Sequence, residues 1–482
     1  MKYVHPILKK KRSFYGIVLA CILAGSCMLA FGFKKKTADT KPNIIVILID
    51  DAGYADFGFM GSKDLQTPNL DQLAARSIRF TDAHVTASVC SPSRAGLLTG
   101  KYQQRFGYEC NEGEGYPGMD TAQTIIPRLL QQQGYATAAF GKWHLGFEPA
   151  QHPLQKGFQY YYGFLSGGRS YFYAPAKDDR AGARGALLEN NRPVKFDGYL
   201  TDVLGDKAAG YIRNNKHHPF FIYWAPNAVH TPMEASEADL KKFAGHPRQK
   251  LAAMTFALDR AVGKILNALK QQGLFDNSII FFLSDNGGAH NNQSSNLPLK
   301  GFKGNKYEGG HRVPFLISWP GKIARGSDFS GLTSSLDIFP TALEAAGVQL
   351  NPSLGLDGTS LIPFLTLDNN KGPHEELVWR KDAAAAIRFN QYKMIRVKGL
   401  GERLYDLSSD PGETTDLRTK QPKVYAMLQQ RLLSWEKNKM NPLWTEGARW
   451  DSVTFMIHDD LMHNRKPHVR SPEEMDRFRL KK

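Results

Sequence analysis

Ile44-Ile45-Val46-Ile47-Leu48-Ile49 is apolar without a break, and the chain turns charged at once with Asp50-Asp51. The run lacks the alternation of a strand with one wet face, so it predicts a parallel strand buried on both faces. Two adjacent carboxylates just beyond a buried strand are costly unless something pairs them. The carboxyl ends of parallel strands are also where open α/β sheets place their sites. The same grammar recurs. Residues 136–140 lead into Gly141-Lys142-Trp143-His144-Leu145-Gly146, and 220–224 into Asn227 and His230-Thr231-Pro232. Residues 279–283 lead into Ser284-Asp285-Asn286-Gly287-Gly288. If these strands are parallel neighbours, Asp50, Asp51, Lys142, His144, His230, Asp285 and Asn286 converge on one edge.

Helices fall between the strands. Leu251, Met254, Leu258, Val262, Ile265 and Leu269 repeat at helical spacing and predict one core-facing stripe. Residues 68–78 and 122–133 read as further helices. The alternation gives an α/β fold, a doubly wound sheet over 42–366, ending at a boundary in Asp368-Asn369-Asn370-Lys371-Gly372-Pro373. Beyond it, 376–379, 384–389, 392–397 and 403–407 read as short strands of a small antiparallel sheet. A helix over 422–437 completes a C-terminal α+β domain at 374–440. Residues 441–482 read as a tail lying back on the core, although His458, Asp459, Asp460 and His463 also suggest metal ligands.

The chain has 482 residues and a net charge of +16. Lys2, Lys9, Lys10, Lys11, Arg12, Lys34, Lys35 and Lys36 carry half of it, and residues 1–36 contain no acid. The remainder suits a polyanionic substrate, while no basic stripe or zinc-finger spacing argues for nucleic acid. A basic stretch ending at Arg12, followed by the uncharged 13–33, reads as an export signal, so the mature protein is expected in the periplasm or outside the cell. Three outcomes stay open: a cleaved signal, a retained membrane anchor, or a lipid tether at Cys27 after Ala24-Gly25-Ser26. Cys21, Cys27, Cys90 and Cys110 make no disulfide framework.

Cys90-Ser91-Pro92-Ser93-Arg94-Ala95-Gly96-Leu97-Leu98-Thr99-Gly100 predicts a turn and a short helix. Pro92 suits the first turn and Gly100 the end. Cys90 then sits where free N–H groups favour an anion, with Arg94 one turn on. Asp50, Asp51, Asp285 and Asn286 offer oxygen atoms alone, a donor set for Ca²⁺ or Mg²⁺. His144 and His230, with lysines about a divalent cation, supply charge neutralisation and proton transfer for anion hydrolysis. Lys300, Lys303 and Lys306 punctuate a glycine-rich loop ending in Glu308-Gly309-Gly310. Phe158, Tyr160, Tyr161, Tyr162, Phe164, Tyr171, Phe172 and Tyr173, with Arg169, suit either sugar stacking or core packing.

The Cys90 stretch matches C-x-P-S-R-x-x-x-L-T-G throughout and resembles the signature of type I, formylglycine-dependent sulfatases. Pro42-Asn43 with Asp50-Asp51, the 141–146 box, His230-Thr231-Pro232, 284–288 and Lys303 with Glu308-Gly309-Gly310 resemble later boxes in the family's order. Leu336-Asp337-Ile338-Phe339-Pro340-Thr341 and Leu404-Tyr405-Asp406-Leu407 are similar to further landmarks, so the likeness spans about residues 42–417. Lys306 departs from the family's frequent threonine. The resemblance implies an alkaline phosphatase-like fold and a sulfuric ester hydrolase. It implies that a formylglycine-generating maturation enzyme oxidises Cys90. The hydrated aldehyde would join Asp50, Asp51, Asp285 and Asn286 as a ligand of Ca²⁺, with Mg²⁺ second. Arg94, Lys142 and Lys303 would hold sulfate and diol, and His230 with Lys303 would protonate the leaving alcohol. His144 would take a proton from the second hydroxyl to expel sulfate. Export and a basic site favour a sulfated carbohydrate. The rivals are a phosphate or phosphonate ester hydrolase on this scaffold, and an inactive glycan-binding protein.

Overall fold

The first apolar run forms the strand Asn43–Ile49, and side-chain alternation divides it between two cores. Ile45, Ile47 and Ile49 enter one, and Ile44, Val46 and Leu48 the other. Burial on both faces explains why the run is continuous. In this computed structural model Met1 and residues 41–178, 183–323, 326–365, 371–381 and 383–480 are described. The export-signal reading of 1–36, with Cys21 and Cys27, and residues 368–370 of the expected boundary lie outside them.

Ser278–Ser284 and Phe220–Ala225 pair in parallel with Asn43–Ile49 on its two sides, and Ala136–Lys142 pairs in parallel with Phe220–Ala225. The four predicted strands are therefore consecutive neighbours within a ten-stranded sheet. Tyr160–Phe164 adds a fifth parallel strand, while Phe315–Ser318 and Leu188–Glu189 run antiparallel at the margins. Helices Leu200–Asn214 and Gln249–Gln271 cover one face, and Cys90–Thr99, Ile126–Gln132 and Ile338–Ala345 cover the other. Gln249–Gln271 carries the predicted stripe, with Leu251, Met254, Leu258, Val262, Ile265 and Leu269 all buried.

Two expected helices are shorter than their patterns. The helix expected at 68–78 stops at Ala74, because Ile78–Phe80 is a strand paired with Phe315–Ser318. The one expected at 122–133 begins only at Ile126, with Pro127 in its first turn, where a missing N–H costs nothing. Cys90 and Cys110 are both buried, and no disulfide joins them. Phe158, Tyr161, Tyr162, Phe164 and Tyr171 lie in the two cores and serve packing, Tyr160 and Tyr173 pack against one of them half-buried, and Phe172 is exposed. Arg169 is held by Asp178 at 2.8 Å.

Glu376–Lys381, Ala384–Phe389, Tyr392–Val397 and Gly401–Asp406 form the antiparallel four-stranded sheet. Val378, Ile387, Met394 and Leu404 face Leu428 and Leu432 of the helix Pro422–Glu436. Trp379, Ala386 and Ile395 face Val453, Ile457 and Leu461 of a second helix, Ala448–Met462. Residues 441–480 thus supply the second layer of this sheet. The ligand cluster suggested there does not gather. His458 is buried, with Nε2 accepting the Lys306 N–H at 3.3 Å, and Asp460 accepts from Arg465 and the His468 backbone.

Candidate active site

Backbone hydrogen bonds lock three strand ends together. Asp285 N–H donates to the Ile49 carbonyl at 2.8 Å, Asp50 N–H to Ala228 at 3.0 Å, and Val229 N–H to Asp50 at 2.8 Å. Immediately after, Asp51 has φ 60°, and His144 has φ 61°. Left-handed backbone is uncommon for such residues and gathers at functional sites. The Asp51 carbonyl is braced by Asn292 Nδ2 and Ser294 Oγ, each at 3.0 Å. Gly287 lets the Asp285-Asn286 turn lie against the Lys303 loop, since a Cβ there would sit 1.9 Å from the Gly309 carbonyl oxygen.

Cys90 opens the helix Cys90–Thr99, after extended Val89, and Gly100 closes it in the left-handed conformation. The Cys90 Sγ is buried, 3.6 Å from Asp50 Oδ1 and 3.9 Å from Asp51 Oδ1. Ser91 Oγ donates to the His144 carbonyl at 2.6 Å and ties the helix start to the neighbouring strand end. Lys142 Nζ lies 2.8 Å from Asp50 Oδ2, and Lys303 Nζ 2.8 Å from Asp51 Oδ2. Arg94 is turned to the protein: Nε and Nη2 reach Asp285 Oδ2 at 2.9 and 2.8 Å, and Nη1 donates to the Lys142 carbonyl at 3.0 Å. His230 Nδ1–H donates to the Thr231 carbonyl at 2.6 Å, leaving Nε2 3.6 Å from Asp51 Oδ2. His144 Nε2 lies 3.5 Å from Glu112 Oε1, and its Nδ1 is buried without a partner. Every residue expected at the site is therefore in one cluster.

Burial dominates the electrostatics. It pushes the Cys90 thiol up to about 12, against the pull of Lys142 and Lys303, so the thiolate nucleophile is suppressed at neutral pH. Burial, with Asp50 alongside, raises Asp285 to about 6 despite Arg94 and Lys142. Burial also acts upward on Asp51, but Lys303, His230 and Lys142 outweigh it and hold that carboxyl below the usual range. Burial and the nearby lysines lower His230 to about 3 and His144 well below its ordinary value, so both rings are neutral.

The residues present fit a divalent cation. Asp50, Asp51, Asp285 and Asn286 supply hard oxygen donors, and Asn286 Oδ1 is buried with no hydrogen-bond partner while its Nδ2 donates to Asp51 at 2.8 Å. Ligand atoms of Asp50, Asp51, Cys90 and His230 lie within 4.8 Å of one another. His84, Glu308 and His311 also cluster. There Lys393 already reaches Glu308 at 2.9 Å, and His84 reaches Asp82 at 2.9 Å, which makes it an ion-pair network.

The site opens into a cavity of about 330 Å³ whose lining includes Glu112, His230, His290, Lys303, Trp450 and Arg470. Glu112, Asn292, His290, Trp450 and Arg470 were not anticipated. Four of them sit in loops with no period or motif and Trp450 in the helix Ala448–Met462, and their relevance comes from contacts across the fold.

The Sulfatase family profile matches residues 42–348, and the profile described as N-sulphoglucosamine sulphohydrolase, C-terminal, matches 302–438. The chain is 33% identical over 384 residues to human N-acetylgalactosamine-6-sulfatase, covering 75% of this chain and 73% of that protein. It is 31% identical over 436 residues to mouse arylsulfatase G, covering 80% and 81%. The crystal structure of Ps i-CgsB in complex with k-i-k-neocarrahexaose superposes with a TM-score of 0.80 at 36% identity, covering 86% of this chain and 98% of that one. The profile and the curated relatives each reach most of the catalytic domain, so the chain belongs to the sulfatase family of sulfuric ester hydrolases, in the alkaline phosphatase-like superfamily.

Proposed function

We propose that this sulfatase removes sulfate from carbohydrates, using a formylglycine made from Cys90 by a maturation enzyme and a Ca²⁺ held by Asp50, Asp51, Asp285 and Asn286. The observation that carries the reading is the Cys90 thiol, buried beside two carboxylates and held protonated, where a thiolate nucleophile is disfavoured. The hydrate of an aldehyde at that position presents two hydroxyls. One would attack the ester sulfur as the bond from sulfur to the leaving alcohol breaks. The other would later lose its proton, so that the carbonyl re-forms and sulfate departs.

The chain's own groups supply the rest. Lys142 and Lys303 face the anion from Asp50 and Asp51. Arg94 acts through Asp285, which it orients with two hydrogen bonds. An arriving sulfate adds negative charge beside His230, raising its pKa so that the ring, with Lys303, protonates the leaving alcohol. Neutral His144, with an unpartnered Nδ1, accepts the proton of the second hydroxyl. A bound Ca²⁺ would add Lewis-acid stabilisation of developing negative charge.

A carbohydrate substrate is supported by the relatives, one named for N-acetylgalactosamine and one solved with an oligosaccharide. The basic start and uncharged run of residues 13–33 support export to the periplasm or beyond, with a membrane or lipid tether through the N-terminus as one outcome.

The test is co-expression with a formylglycine-generating enzyme. The peptide spanning Cys90 should become lighter and hydrazide-reactive, and turnover of 4-nitrophenyl sulfate should rise with the converted fraction. Full turnover by protein carrying only the intact thiol would overturn the mechanism. Faster turnover of the matched phosphate would favour a phosphoester hydrolase.

A further inference from the structure

We infer that the C-terminal segment 441–470 forms a recognition wall for a second anionic group on the substrate, with Trp450 stacking on a sugar ring and Arg470 binding that anion. The inference rests on the sulfatase reading and deepens it: the substrate is an oligosaccharide with a sulfate or carboxylate beside the ester that is cleaved.

The segment is anchored at two places around the site. Trp444 Nε1 donates to the Asn111 carbonyl at 2.6 Å, and Glu446 Oε1 accepts the Asn111 N–H at 3.0 Å. Asn111 Oδ1 in turn accepts the Ser91 N–H at 3.1 Å, one residue from Cys90. On the other side, buried His458 caps the Lys306 N–H in the loop that carries Lys303. Burial lowers His458 to about 4, so this anchor is a neutral ring. Between the anchors the helix Ala448–Met462 presents Trp450, 38% exposed, to the cavity that also holds His230 and Lys303.

The charges in that cavity are not equivalent. Lys303 is paired with Asp51, and Lys381 with Glu446 at 2.9 Å. Arg470 is held by its backbone N–H on Glu474 Oε2 at 2.9 Å and by Nε on the Pro467 carbonyl at 3.2 Å. Among the described residues these bonds leave the two terminal nitrogens of its guanidinium, a fork matched to sulfate or carboxylate, without a carboxylate partner. An exposed indole and a guanidinium fork lining one cavity suit a sugar face and an anion on the same substrate.

The experiment uses the mature enzyme and four probes: 4-nitrophenyl sulfate, and sets of disaccharides bearing one sulfate, two sulfates, or one sulfate and a uronate, with the ester position varied. Arg470→Ala should raise KM at least tenfold for the disulfated or the uronate-bearing substrates, with kcat and 4-nitrophenyl sulfate turnover unchanged. Whichever set responds identifies the anion, and Arg470→Lys should restore part of the loss. Trp450→Ala should raise KM for all disaccharides, and Trp450→Phe should rescue it. Equal losses on 4-nitrophenyl sulfate would show a merely structural wall and overturn the inference. So would unchanged KM throughout, or an enzyme that cleaves 4-nitrophenyl sulfate and no disaccharide. Failure on 4-nitrophenyl sulfate by the unmutated mature enzyme would instead count against the sulfatase mechanism.

Discussion

Lys300, Lys303 and Lys306 share one loop but reach different parts of the fold. Lys300 Nζ donates to the Glu413 carbonyl at 2.9 Å and to Asn464 Oδ1 at 2.6 Å, and Lys306 Nζ to Ser88 Oγ at 3.3 Å. Only Lys303 among them reaches Asp51. Lys303→Ala should therefore lose on the order of 2–4 kcal/mol of transition-state stabilisation, read as kcat/KM on 4-nitrophenyl sulfate. Lys300→Ala should stay near the unmutated rate, and the reverse pattern would refute the assignment. The oxygen donors give a second expectation. Chelation should abolish turnover and lower the melting temperature, and Ca²⁺ should restore both, because an ion held by these four side chains would bind only the folded site. Undiminished turnover after exhaustive chelation would remove the metal from the mechanism. Residue identities at the site were legible because each follows a buried strand or lies in a motif. Their pairings were not. That Arg94 faces Asp285, or that Glu112 stands beside His144, depends on contacts between segments far apart in the chain.

At the scale of elements, strands buried on both faces leave continuous apolar runs, which is why the four central strands could be read directly. Ile78–Phe80, Leu188–Glu189 and Arg192–Pro193 are two or three residues long, too short to show a period. The Ala448–Met462 helix does carry Val453, Ile457 and Leu461 at four-residue spacing, in line with Trp450, but exposed Phe455 on another face blurs that stripe. One contact between elements makes stability depend on pH. His374 Nε2 lies 2.7 Å from Asp337 Oδ1, joining the approach to the small sheet with the start of the helix Ile338–Ala345. Burial lowers the His374 pKa, and the Asp337 carboxylate outweighs it, for a net rise. A pKa raised by folding contributes stability that is fully present below the unfolded value of about 6.5 and is lost as pH rises through the folded value. The melting temperature should thus fall across that window relative to His374→Asn. Parallel profiles for the two proteins would exclude the contribution.

For the whole molecule, the small sheet is a filling between two helices, and each apolar side chain of its outer layer contributes about 1.5–3 kcal/mol when fully buried. Removing residues 441–482 would take Val453, Ile457 and Leu461 away from Ala386 and Ile395. The truncated protein should melt at lower temperature and bind a dye for exposed apolar surface. An unchanged melting curve would show that the sheet stands on one helix. The same arrangement has a consequence in time. Cys90 is synthesised roughly 380 residues before Arg470, which at about 5–20 residues per second is roughly 20–80 s. Through that interval the residue that ends up sealed at the strand ends has no finished wall around it. On the maturation proposed above, translation speed would be a clock for the oxidation of Cys90. The converted fraction, read by mass spectrometry, should fall when synthesis is hastened at fixed levels of the maturing enzyme.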